Sequence, residues 1–182
     1  QLPFPGEGIS SSALYELGYG FYSAPGALQL PVKQINILLP KDAILNDWQI
    51  VFDPEITIKG EAPLINPAFT NGEKILSSPS NRNDPSRYSF LGLRKWGDLN
   101  YACFYIISGI YKESNWLWNP SCRIDLNYSA SAKENGRIPS TFKKEDFFAN
   151  PQCLSYWYDT AKEQENRLLV ITTPELHTAL TN

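Results

Sequence analysis

The chain has 182 residues and a net charge of −3, and it carries one histidine, His177, and no methionine beside 5 Trp, 10 Tyr and 9 Phe. So little imidazole excludes the mechanisms that depend on it: a chymotrypsin- or papain-type relay, a carbonic-anhydrase-type zinc site and a two-histidine iron site. Hydrophobic residues at 42% and charged residues at 19% describe a globular chain with a lightly charged surface rather than a disordered one.

Its length fits a single domain over residues 1–182. No Lys/Arg run exceeds Arg94-Lys95 or Lys143-Lys144, which disfavours a phosphate-backbone partner, since such binding rests on clustered cations. No segment approaches the roughly 18 apolar residues of a membrane span. Gln1 in place of an initiator Met leads to the expectation of a cleaved leader or a piece of a longer chain, and with it a location outside the cell or on a cell or virion surface. A cytoplasmic location is the alternative.

Fourteen prolines and eleven glycines break the chain into short elements. After a loose 1–8, the segment SSALYELG at 11–18 is a helical turn or two with a Ser cap and a Gly stop. Strands are expected at Lys33–Leu39, Asp47–Phe52 and Glu55–Glu61; the last alternates Ile56 and Ile58 against Glu55, Thr57 and Lys59. Residues 62–87 are rich in Pro, Asn, Gly and Ser and are expected to form one long irregular loop carrying Arg82, Asp84 and Arg87.

Tyr88–Leu93 and Tyr101–Tyr111 are expected to pair as a hairpin across Trp96-Gly97-Asp98, with Asn115–Trp118 and Arg123–Tyr128 following as strands. The C-terminal third suggests helices at Thr141–Phe148 and Asp159–Glu165, a buried strand at Arg167–Thr172 and a short helix capped by Thr173-Pro174-Glu175. The sum is a mainly β fold, an antiparallel sheet or sandwich of short strands with a few short peripheral helices; α+β is the alternative.

Two aromatic runs stand out. Residues two apart in a strand share a face, so Trp116 and Trp118 project together, as a recognition platform or into the core. Tyr156, Trp157 and Tyr158 are consecutive and cannot all point inward, so some aromatic surface should be exposed there. Cys122 and Cys153 each follow an Asn-Pro step, in N-P-S-C and N-P-Q-C, and could pair as a disulfide that leaves Cys103 as a buried thiol.

No metal site is expected from three cysteines without C-x-x-C spacing, and no cofactor from a chain without a Walker loop, a G-x-G-x-x-G or an EF-hand loop. Asp53, Glu55, Lys59 and Glu61 invite a nuclease reading, but Thr57 stands where an acid should precede the lysine. A glycosidase needs only two carboxylates, for which Asp98, Asp125, Glu145, Asp146 and Asp159 are candidates.

The expectation is therefore a non-catalytic binding or assembly module presenting aromatic surface to a protein partner or a glycan, able to oligomerise or join a larger assembly. Trp116, Trp118, Tyr156, Trp157 and Tyr158 are its contact residues. The alternatives are a small carboxylate-dependent hydrolase and an intracellular accessory subunit of a complex.

Overall fold

A computed structural model describes residues 9–22, 24–70, 73–75, 86–131, 135–139, 142 and 147–160. The chain begins with α1 (Ser11–Glu16), whose N-cap Ser10 accepts from the Ala13 N–H and which stops at Gly18 in a left-handed conformation with φ 73°. There follow β1 (Gly20–Phe21), β2 (Pro31–Leu39), β3 (Ile44–Phe52), β4 (Ile56–Ile58), β5 (Ala68–Thr70) and β6 (Glu73–Ile75). The second half contains β7 (Tyr88–Trp96), β8 (Leu99–Ile107), β9 (Gly109–Lys112), β10 (Asn115–Trp118), β11 (Cys122–Ser129) and β12 (Gly136–Ile138). A 3₁₀ turn at Pro151–Cys153 leads into α2 (Leu154–Trp157) and β13 (Tyr158–Thr160).

The fold is mainly β, with short helices at its margins. One sheet runs β1-β2-β8-β7, a second β4-β10-β9, and three two-stranded ribbons complete the described strands; all pair antiparallel except β12 with β13. The expected hairpin is β7–β8, closed at Gly97-Asp98, with Trp96 opposite Leu99. A bulge between Phe90 and Gly92 resets its register.

A second layer forms because β3 and β11 alternate in and out, leaving one apolar face between them, while β2 and β8 carry apolar residues on both faces. Ile35, Ile37 and Leu39 of β2 share a face with Ala102, Phe104 and Ile106 of β8 and with Tyr88 and Phe90 of β7. Against them packs the β3–β11 ribbon through Trp48, Ile50, Phe52, Ile124 and Leu126. Trp48 sits at the centre, its ring 5.6–5.7 Å from those of Tyr88, Phe90 and Phe104. A two-stranded ribbon cannot seal a four-stranded sheet, so many of these residues stay half-buried.

The opposite face of the large sheet carries Leu38, Leu99 and Tyr101, and Phe142, Phe148, Leu154 and Tyr158 cover it. Polar groups hold that cover in place. The Asn150 carboxamide donates to the Leu38 C=O at 3.0 Å and accepts from the Leu38 N–H at 2.8 Å, as a neighbouring strand would. The Ala149 N–H bonds the Asn36 C=O at 2.8 Å.

Several expectations are corrected. Residues 62–87 are not one loop: β5 and β6 pair within them, as Ala68–Ile75 and Thr70–Glu73. The apolar run Tyr101–Tyr111 is broken at Ser108, which separates β8 from β9 and lets β9 join the other sheet. Asp159 and Thr160 extend as β13, paired to Arg137 and Ile138, rather than starting a helix. Most of Thr141–Phe148, together with Arg82, Asp84, Glu145, Asp146, His177, the Arg167–Thr172 strand and the helix at Thr173, lies outside the described residues.

Candidate functional site

Trp116 and Trp118 share a face, but that face is the core. β10 is the central strand of its sheet, between β4 and β9, and the two indoles are 2% and 0% exposed among Ile9, Leu14, Tyr19, Leu30 and Ile58. The Trp116 Nε1–H donates to the Glu61 C=O at 2.9 Å, and the Trp118 ring meets Tyr19 edge-on at 5.5 Å. A Cβ on Gly109, opposite Trp118, would lie 2.6 Å from that ring, so only glycine lets β9 approach this closely. The expected platform at Trp116 and Trp118 is corrected: neither indole reaches the surface.

Tyr156, Trp157 and Tyr158 go three separate ways because the backbone changes form between them. Tyr156 and Trp157 end α2, where successive side chains turn about 100° apart, and Tyr158 is already extended at φ −139°, ψ 137°. Tyr156 stands in solvent at 74% exposure. Trp157 is half-buried, its ring edge-on to Tyr128 of β11 at 6.3 Å.

Tyr158 is buried, which removes it from the expected contact set. Its hydroxyl donates to the Leu39 C=O at 2.6 Å and accepts from the Asn100 N–H at 3.0 Å, and burial pushes its pKa up to about 12. Leu45 pairs with Tyr128, and exposed Ile44 is its chain neighbour. Of the expected aromatic contact residues, Tyr156 is thus exposed and Trp157 partly so, against Tyr128, with exposed Ile44 at the end of the neighbouring strand. Tyr128 and Ile44 come together only through the β3–β11 register, which no local pattern announces.

A charged cleft of about 570 Å³ is lined by Lys41, Asp98, Asn135, Arg137 and Asp159. Asp98 comes from the β7–β8 turn, Lys41 from the exit of β2, Asn135 and Arg137 from the start of β12, and Asp159 from β13. Lys41 Nζ lies 3.3 Å from Asp98 Oδ2, which also accepts the Arg137 N–H at 3.0 Å. That backbone N–H, helped by the Lys41 ammonium, holds the Asp98 carboxyl below the usual carboxylate range. Asn135 donates to Asp159 at 3.1 Å.

Two of the five candidate acids, Asp98 and Asp159, therefore share a cleft. Asp98 shifts against the direction a general acid requires, since such a group must hold its proton near neutral pH. Asp125 is remote from both, on the outer face of β11 with Arg123 at 3.0 Å.

The remaining candidates are structural. Glu55 pairs with Arg87, which also donates to Asn119, while the Asn119 carboxamide donates to the Asp53 C=O at 2.7 Å and Ser121 bonds the Asp53 carboxylate. Among the described residues no group of three His, Cys, Asp or Glu could hold a metal ion. The expected Cys122–Cys153 disulfide is corrected: all three thiols are free. Cys122 packs into the cluster around Trp48 and Cys153 into the cluster around Tyr158, which lie on opposite faces of the large sheet.

No protein family and no curated protein matches the chain in sequence. Among solved structures it is similar to the complex of Porphyromonas gingivalis RgpB pro- and mature domains, at 12% identity and a TM-score of 0.38, covering 74% of this chain and 77% of that one. So slight a likeness bears on neither fold nor activity. Among the described residues no helix is long and apolar enough to cross a membrane.

Proposed function

We propose that the protein is a non-catalytic β module that binds a protein partner through Tyr128, Tyr156 and Trp157. The observation carrying this reading is an exposed Tyr156 next in the chain to Trp157, whose ring meets that of the partly exposed Tyr128. Aromatic residues are enriched at the centres of protein interfaces, and tyrosine and tryptophan dominate their energetics. Three free thiols in separate places favour a reducing compartment, and so the accessory-subunit form of the role, over an exported one.

Tyr15 supplies the control, because it is as exposed as Tyr156 but belongs to no aromatic cluster. A photocrosslinking residue placed at 156 should trap one defined protein in the native source, and the same residue at 15 should not. The trapped partner, once purified, should lose about tenfold or more in affinity when Tyr156 becomes Ala. Identical crosslinks from both positions, or unchanged affinity, would overturn the reading.

A second reading rests on Asp98 and Asp159 sharing a cleft: hydrolysis of a glycoside or phosphodiester. Turnover of nitrophenyl glycosides or bis-nitrophenyl phosphate that vanishes in both Asp98→Asn and Asp159→Asn would support it, and no turnover would end it.

A further inference from the structure

On the face of the large sheet that carries Leu38 and Tyr101, a groove of about 650 Å³ runs over β2 and β8 between β1 and Phe147. Its walls are Phe21, Tyr22, Tyr105 and Phe147, and its floor is Gln34 and Asn36. Tyr105, opposite Gln34 across the strand pair, is 42% exposed in it.

The edge of β2 beside this groove has a regular hydrogen-bonding phase. In an antiparallel pair, alternate residues turn both backbone groups away from the partner strand. Here the even-numbered residues do so. The Leu38 N–H and C=O meet the Asn150 carboxamide, the Asn36 C=O takes the Ala149 N–H, and Val32 stands opposite Gly20 of β1.

Gln34 is in the same phase, yet β1 has ended by Val32, and among the described residues neither its N–H nor its C=O is bonded. Its side chain turns aside to donate to Asn36 Oδ1 at 3.0 Å. One position of the edge is thus open, between two that are filled by peptide-type groups, and aromatic walls flank it.

We infer that this groove receives an extended peptide segment, which bonds the Gln34 N–H and C=O as an added strand and seats a side chain against Tyr105 and Phe147. An unpaired strand edge is a template for exactly one class of ligand, another backbone, with alternate side chains supplying selectivity. The added strand would continue the line that Ala149 and Asn150 begin along β2. This site shares no residue with the Tyr128–Tyr156–Trp157 surface, so the two stand or fall separately.

The test is an amide-resolved NMR titration of the full chain with the blocked tetrapeptide acetyl-Thr-Val-Thr-Val-amide, repeated with an analogue N-methylated at its central amide. The Gln34 amide signal should move and saturate with the first peptide, and the analogue should bind about tenfold more weakly, the loss of one net hydrogen bond. Tyr105→Ala, a change at a partly exposed side chain, should also weaken binding while leaving the amide spectrum otherwise folded.

A Gln34 amide that does not respond at millimolar peptide overturns the inference. So does equal binding of the methylated analogue, or a Gln34 N–H already protected from hydrogen exchange in the free chain. Maltose or cellobiose shifting the Tyr105 and Tyr22 ring signals, with the Gln34 amide silent, would also overturn it and reassign the groove to a sugar.

Discussion

The two aromatic runs, Trp116-Leu117-Trp118 and Tyr156-Trp157-Tyr158, are alike in composition and opposite in what they do. The first lies in the central strand of a three-stranded sheet, so its period of two sends both indoles to one face, and that face is covered. The second straddles a change from helix to strand, so three neighbours are distributed over solvent, boundary and core. Aromatic content says how much apolar area there is to place; backbone form decides how much of it remains available to a partner.

The sharpest way to break the comparison is to truncate one member of each run. Trp118→Ala should cost about 3–5 kcal/mol, because a fully buried indole leaves a cavity that β9 and β10 cannot close. A urea midpoint unchanged by that substitution would mean the β10 face is not the core.

Tyr158→Phe keeps the ring and removes the hydroxyl that serves both Leu39 and Asn100. The expected loss is about 1–3 kcal/mol, the cost of leaving buried backbone groups without a partner. The same hydroxyl sets a pH dependence. Its folded pKa, about 12, lies above the ordinary value near 10, so the native state holds the proton more tightly than the unfolded chain. Its contribution is complete below pH 10 and is lost as pH rises from 10 to 12. Tyr19, also raised to about 12 by burial, adds to the alkaline loss. Urea unfolding from pH 8 to 11.5 should show a steeper decline for the native sequence than for Tyr158→Phe, and parallel curves would contradict the assignment.

A smaller gain should come from the turn that aims β10. Glu113 and Ser114 both have positive φ, 51° and 63°, where a two-residue hairpin loop prefers Asn-Gly. Ser114→Gly should stabilise by about 0.5 kcal/mol, the relief of left-handed strain less the added chain entropy, measurable as a raised unfolding midpoint. Tyr156→Ala should move stability by no more than about 0.5 kcal/mol, since its ring stands in water. A large destabilisation there would place Tyr156 in the packing and remove it from the proposed interface.

Much of the strand content was legible because short-range alternation carries it. Arg123–Tyr128 reads in and out along the sequence and does so in β11, within one residue at each end, and Asn115–Trp118 matches β10. The β7–β8 hairpin announced itself through Gly97-Asp98. What alternation cannot carry is which face meets the core.

For β10 that depended on β4 and β9 flanking it, and the β4 pairing joins residues about sixty positions apart. The Asn-Pro-x-Cys echo shows the same limit. The shared signal lay in the asparagines rather than the cysteines: Asn119 ties Asp53, Asn150 ties Leu38, and the two thiols end on opposite faces. Nor could sequence place Asp98 and Asp159 in one cleft, since a parallel β12–β13 pair is needed to bring β13 there.

The staple between Asn150 and Leu38 spans 112 residues, and the Tyr158–Leu39 bond spans 119. During synthesis, which proceeds from the N-terminus, the large sheet can be complete once β8 has left the ribosome, yet Leu38, Leu99 and Tyr101 must wait for Phe142, Leu154 and Tyr158 to cover them. Through that interval the nascent chain shows an apolar sheet face and the unsatisfied edge of β2 together, the two features that recruit chaperones or neighbouring chains. Asn150 shortens that edge with one side chain, closing it at Leu38 as the cover arrives.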